Sequence, residues 1–275
     1  MLSDAQVNFF RENGFVKGGP VLSAEQVADL RAALDAVMEG QAGAQPERIS
    51  NMLRDDERTV VQVVNIWAAD ERFRAHVYHP AICAMVAQLI GTDVLRVWHD
   101  QIQYKPARSG GPTYWHQDHP YWPILQPADL VSAWVALDDA TLENGCMRMV
   151  PRSHLWGPHK GGTVGTRADD FAPDYDPSLV PTGEKIEIVP CEVACGEVMF
   201  HHCLTWHGSA ANPSDRPRRA IAVHYMPGYT RYVPTGKHIM EHRVEVPPGE
   251  ILQGEYFPTV WDHGPVHHPG ASGAT

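Results

Sequence analysis

Apolar residues in the first ninety positions recur at spacings of three and four, the period of an amphipathic helix. Val27, Leu30, Leu34 and Val37 form one such stripe. Ser3-x-x-Gln6 and Ser23-x-x-Gln26 are capping boxes in which a hydroxyl and an amide satisfy each other's backbone N–H groups. His79-Pro80 predicts a further helix, with Pro80 at its first position and Gly91 past its end. From Val94 the period changes to two. Val94, Arg96, Trp98, Asp100, Ile102 and Tyr104 then share one strand face, and Leu95, Val97, His99, Gln101, Gln103 and Lys105 the other. The second face begins apolar and turns polar, as a core face does where it runs into a site; an exposed strand end has the same pattern. Further strand-like runs cover 131–137, 146–150, 185–189, 197–202 and 219–226. Short strands separated by Gly and Pro, without interleaved helices, predict an all-β sandwich or barrel.

The expected organisation is one domain over residues 1–275. It has a helical N-terminal layer (1–92), a β core (93–228) and a C-terminal extension (229–275). Segment 156–183 is rich in Gly, Pro and Asp and too long for a bare connector, so a mobile lid is expected there. The last ten residues are expected to fray. Hydrophobic residues at 43% and charged residues at 20% are an ordinary globular balance. Twenty-two basic against thirty-three acidic residues give a net charge of −11, which predicts neither a nucleic-acid nor a membrane partner. No secretory signal opens the chain, and no apolar run approaches a membrane span. The five cysteines are odd in number with no C-x-x-C pair. A cytoplasmic location with reduced thiols is the expectation, and cysteine-based zinc sites lose support.

Candidate chemistry begins at Tyr114-Trp115-His116-Gln117-Asp118-His119-Pro120. Residues two apart on an extended chain project to the same side, so His116 and Asp118 can meet one metal ion. Alone this is a weak signal, since a loop histidine beside a capping aspartate has the same sequence. The second segment, Phe200-His201-His202-Cys203-Leu204-Thr205-Trp206-His207-Gly208-Ser209, offers a third ligand in His207, at the end of a strand. Two histidines and one carboxylate on one face of a metal characterise non-haem Fe(II) oxygenases. His201 and His202 compete for that role, although their positions suit packing or a supporting hydrogen bond better. Arg218 follows His207 by eleven residues, and its planar fork suits a carboxylate. Of Arg218 and Arg219, alternation sends one inward, and Arg218 is the expected one.

The chain resembles the phytanoyl-CoA dioxygenase family of Fe(II)/2-oxoglutarate oxygenases, which includes ectoine hydroxylase, over roughly residues 4–228. The resemblance rests on Phe9-Phe10-Arg11-Glu12-Asn13-Gly14-Phe15-Val16, on Trp115-His116-Gln117-Asp118 and on His207-Gly208-Ser209 through Asn212 to Arg218. It rests also on Glu143-Asn144-Gly145 through Val150-Pro151-Arg152-Ser153-His154, where Arg152 stands in place of the usual glycine. It implies a mainly β, double-stranded β-helix (a jelly-roll or cupin-like barrel) with iron at one mouth. It implies His116, Asp118 and His207 as metal ligands and catalytic centre. Arg218 and Ser209 would hold 2-oxoglutarate, with Gln101, Trp134 and Lys105 around it. Trp122 would lie near the substrate. Tyr121 and Trp122 could line a pocket or anchor a buried loop, and His99 and Gln103 could line the site. The implied reaction uses O2 and 2-oxoglutarate to hydroxylate a small molecule that is lipid-like, amino-acid-like or a secondary metabolite. The acidic chain weighs against a polyanionic CoA ester. A catalytically silent metal-binding sensor or binding module is the other reading, and oligomeric state is left open.

Overall fold

The computed structural model describes residues 1–53, 58–159 and 180–263. The expected frayed tail and most of the 156–183 segment lie outside the described residues.

Of four α-helices, α1 (Asp4–Asn13), α2 (Ala24–Met38) and α4 (Pro80–Ile90) form as their caps predict, and α3 (Glu71–Val77), capped by Asp70, was not singled out in the sequence. Both capping boxes close, and α2 buries Val27, Leu30, Leu34 and Val37. Gly14 at φ 82° and Gly91 at φ 77° end α1 and α4 in the left-handed region that glycine enters without penalty. The purely helical reading of this layer needs correction. It also holds strands β1 (Phe15–Pro20), β2 (Arg48–Asn51) and β3 (Val61–Val64). These are four to six residues long, and pairing with distant strands decides their state more than local propensity does.

The remaining strands are β4 (Val94–Lys105), β5 (Thr113–His116), β6 (Leu125–Gln126), β7 (Val131–Ala136), β8 (Met147–Met149), β9 (Val189–Cys191), β10 (Glu197–His202), β11 (His207–Ser209), β12 (Arg218–Pro227), β13 (Arg231–Tyr232) and β14 (Thr259–Asp262). The larger sheet runs β1-β10-β7-β12-β4-β3-β2, with β14 also paired to β4; the smaller runs β5-β11-β8-β9. Every pairing between these strands is antiparallel. The molecule is therefore mainly β, with two sheets packed as a jelly roll. Trp134, Met199, Ala220 and Ala222 of the larger sheet meet Met147, Met149 and Cys191 of the smaller in one apolar cluster. The helices pack on the other face of the larger sheet through Leu30, Leu34, Phe73, Ile82 and Val86, against Leu95, Val97, Ile102 and Val223. Among the described residues, no helix is long and apolar enough to cross a membrane.

Three local features differ from the sequence reading. On β4, His99 pairs with His224 but Val97 pairs with Tyr225, so Trp98 is an extra residue, a β-bulge. The bulge exchanges the faces of the strand. Leu95 and Val97 join Ile102 in the helix-side core, while His99, Gln101 and Gln103 line the interior cavity. The expected single face that turns from apolar to polar is thus two faces joined by a bulge. The run 185–189 is not a strand: Ile186 and Ile188 pack against Trp115, Val150 and Trp206 without ladder pairing, and β9 starts at Val189. Finally, His207 begins β11 instead of ending a strand. A turn after β10 carries the chain from the larger sheet to the smaller one.

Candidate metal centre and cosubstrate pocket

Pairing of β11 with β5 sets His207 directly opposite His116, and Asp118 follows two residues later. The ligand-capable atoms of His116, Asp118 and His207 all lie within 4.8 Å of one another. Asp118 Oδ1 stands 3.5 Å from His116 Nε2 and 3.6 Å from His207 Nε2. Ligand atoms about 2.1 Å from one ion and cis to each other lie about 3 Å apart, so the group needs only a small contraction to close on a metal.

The imidazoles are held in the required tautomer. His116 Nδ1 lies 2.7 Å from the Tyr114 carbonyl, and His207 Nδ1 2.9 Å from that of Thr205. A carbonyl can only accept, so Nδ1 carries the proton and Nε2 keeps a free lone pair. Burial, with His116 nearby, also pushes His207 well below the ordinary histidine range and keeps it neutral. Burial would raise the Asp118 carboxyl, but His207, His116 and His201 hold it well below the usual carboxylate range. Two neutral imidazoles and one carboxylate on one side fit a divalent iron.

A row of polar side chains backs the centre. His99, His224, Ser132 and His201 are register partners on β4, β12, β7 and β10. His201 Nε2 lies 3.0 Å from Asp118 Oδ2, and Ser132 Oγ donates to the same oxygen at 3.2 Å. His224 Nδ1 sits 2.7 Å from Ser132 Oγ. His201 is therefore a support and not a fourth ligand. Ser132 and His224 were missed from sequence. Their signal was a buried polar residue inside an otherwise apolar strand.

The next registers hold the other expected residues. Gln101, Ala222 and Trp134 pair across three strands, as do Gln103, Ala220 and Ala136. Trp134 Nε1 donates to Gln103 Oε1 at 3.1 Å, and the Arg218 guanidinium stands 5.4 Å from the Trp134 ring centre. Arg218 is 1% exposed, and among the described residues its Nε and Nη1 have no hydrogen-bond partner. Burial pushes it down to about 10, so it remains a cation at neutral pH. A buried, under-bonded guanidinium calls for an anion. Arg219 points outward to Asp138 at 2.8 Å, as alternation predicts. Ser209 is buried on β11. Lys105 donates to the carbonyls of Ala210 at 2.6 Å and Ser209 at 3.3 Å. Burial and Arg218 push Lys105 well below the ordinary lysine range.

A cavity of about 450 Å³ opens beside His116 and Asp118. Tyr121, Trp122, His99, Gln101 and Gln103 line it. Trp122 is 4% exposed and packs with Trp98 and Leu130, so it is both wall and anchor, whereas Tyr121 is 57% exposed. The remaining walls come from the N-terminal strands (Arg48, Gln62, Val64) and the C-terminal extension (Lys237, His238). Sequence reasoning found none of these. Gln117 donates to the Gly157 carbonyl at 3.0 Å and accepts from the His159 N–H at 2.8 Å, which places the start of the 156–183 segment beside the ligands. Arg152 adopts φ 66°, the backbone for which a glycine is suited, and its guanidinium pairs with Glu184 at 2.9 Å.

The sequence model described as phytanoyl-CoA dioxygenase matches residues 10–220. A probable phytanoyl-CoA dioxygenase of Caenorhabditis elegans is 28% identical over 247 residues, covering 82% of this chain and 75% of that protein. Among solved structures, the non-haem α-ketoglutarate-dependent carbocyclase SnoK from nogalamycin biosynthesis superposes with a TM-score of 0.77 at 32% identity, covering 94% of this chain and 96% of that one. The epimerase SnoN, solved with Fe3+, α-ketoglutarate and nogalamycin RO, gives a TM-score of 0.74 at 25% identity, covering 94% and 98%. With its matched span, facial triad and cupin-like fold, the chain belongs to the phytanoyl-CoA dioxygenase family of Fe/2-oxoglutarate-dependent oxygenases.

Proposed function

We propose that this enzyme hydroxylates a C–H bond of a small organic substrate, converting substrate, O2 and 2-oxoglutarate into alcohol, succinate and CO2. The observation that carries the reading is the juxtaposition of three parts. A triad is preset for one ion, a buried cation lacks an anionic partner among the described residues, and a cavity opens beside His116 and Asp118, its Gln103 wall joined through Trp134 to that cation. Iron held by His116, Asp118 and His207 would supply the oxidising chemistry that couples loss of CO2 from 2-oxoglutarate to C–H cleavage. The protein's own part is positioning. Arg218 would pair with the far carboxylate of 2-oxoglutarate, with Ser209 assisting. Gln101, Trp134 and Lys105 would shape that pocket, between the small Ala220 and Ala222. Trp122, Tyr121, His99 and Gln103 would hold the substrate. The Asp118 carboxylate occupies the position that must be vacated for a halide, which favours oxygen transfer over halogenation. This reading treats residues 1–275 as one oxygenase domain, acting in the cytoplasm on a small molecule.

The test is a substrate screen that couples succinate release to mass spectrometry of the product under 18O2. A product that gains one labelled oxygen supports hydroxylation. A product that loses two hydrogens without gaining oxygen replaces hydroxylation with desaturation or ring closure, the outcome suggested by likeness to a carbocyclase. No succinate under any condition would favour a silent binding module.

A further inference from the structure

His99 is 4% exposed and lines the cavity, and among the described residues its Nε2 has no partner. Its Nδ1 lies 3.4 Å from the Asp100 carbonyl, which places the ring proton on Nδ1 and leaves Nε2 as a bare acceptor. Burial pushes this imidazole down to about 3, so it stays neutral and cannot donate from Nε2. What pairs such an atom is a hydroxyl or N–H supplied from the cavity. The ring is fixed from several sides: His224 lies 4.6 Å from it centre to centre, Trp122 5.7 Å and His238 5.6 Å.

Charge is the second observation. Among the described lining residues, Arg48, Lys237 and Asp118 alone carry full charge, and Asp118 belongs to the metal centre. A chain of net charge −11 thus presents two cations to its substrate cavity. Arg48 is steadied by Gln62, whose Oε1 accepts from Nη2 at 2.7 Å, and Gln62 in turn donates to Gln101. Amides, imidazoles and hydroxyls share the walls with Met52, Val64, Ile239 and Trp122. A long acyl chain would leave His99 Nε2 unpaired.

We infer that the prime substrate is a compact, hydroxyl-bearing organic acid, its hydroxyl donating to His99 Nε2 and its anionic group pairing with Arg48 and Lys237. This rests on the oxygenase reading above and names the substrate class of that same cavity. Discrimination follows from the two contacts. An ester lacks the charge that Arg48 and Lys237 answer, and a compound without the hydroxyl leaves Nε2 bare.

The probes are hydroxynaphthoate isomers, their methyl esters and the parent naphthoates. Binding is followed anaerobically on the enzyme loaded with Fe(II) and 2-oxoglutarate, through the change each probe causes in the visible iron-to-cosubstrate charge-transfer band. The band itself reports the oxygenase reading, so its failure to form is seen separately from failure of a probe to bind. At least one hydroxy acid should bind tenfold or more tightly than both its ester and its parent acid. Arg48→Gln and Lys237→Gln should remove the preference for acid over ester. His99→Phe should remove the preference for the hydroxyl, and His99→Gln, which keeps an acceptor, should retain part of it. Should His99→Phe not form the band, the His99→Gln result decides. Equal binding of acids and esters, no binding by any isomer, or preferences that survive the substitutions would overturn the inference.

Discussion

His201 Nε2 stands 3.0 Å from Asp118 Oδ2, the oxygen turned away from the two ligand histidines, while Oδ1 faces His116 and His207. The contact fixes which carboxylate oxygen is free for a metal. Losing such a support typically weakens metal affinity or activity by roughly 10–100-fold. His201→Ala should therefore lower affinity for Mn(II), measured by titration calorimetry, within that range. Unchanged affinity in a folded variant would show that Asp118 is positioned by its backbone alone.

On the proposed reading, Arg218 would answer the cosubstrate and not the metal. Removing one partner of a buried charged pair costs about 3–5 kcal/mol. Arg218→Ala should thus weaken 2-oxoglutarate binding by roughly two to four orders of magnitude and leave Mn(II) affinity near wild type. Equal 2-oxoglutarate affinity in variant and wild type would assign the anion to another cation.

Burial pushes the Asp100 carboxyl up to about 8 from 3.8, and among the described residues its Oδ2 has no partner. A folded-state value above the unfolded one means that the neutral form is favoured in the fold. That stabilisation is full below about pH 4 and is lost as pH rises through 8. Asp100→Asn is neutral throughout. It should exceed wild type in stability by on the order of a few kcal/mol at pH 8, with the gap closing toward pH 4. Denaturant unfolding across that range checks it, and a pH-independent gap would contradict the assignment.

Ser23 caps α2 far from the centre, with Gln26 N donating to its hydroxyl at 3.2 Å. Ser23→Ala should cost about 1 kcal/mol, with a fall in melting temperature of about 2–4 °C. Iron and cosubstrate binding should not change. A fall in melting temperature beyond 10 °C would mean that the helix does more than cover the sheet.

What was legible in the sequence depended on how local the physics was. Caps such as Ser3 and Ser23, the stripe on α2 and the strand-like runs of β7, β10 and β12 are set within a few residues, and each stands where the pattern put it. The metal triad was legible because His116, Asp118 and His207 carry a chemistry few other residues supply. The bulge at Trp98 was not, since its signal lies in the register of β4 against β12, more than a hundred residues away. Ser132 and His224 acquire meaning through register alone, when β7, β12 and β10 align them beneath Asp118. The cavity wall from Arg48, Gln62, Lys237 and His238 joins the two ends of the chain, and no local pattern announces such a meeting. The N-terminal helices pack on the far face of the larger sheet.

The central claim is that His116, Asp118 and His207 hold an iron that consumes O2 and 2-oxoglutarate. Its most direct test is succinate formation from 2-oxoglutarate under 18O2, with Fe(II) added to wild type, Asp118→Ala and His207→Ala. Wild type should give succinate carrying one labelled oxygen, with formation abolished or greatly reduced in both variants. Succinate without label, or equal formation by the variants, would contradict it.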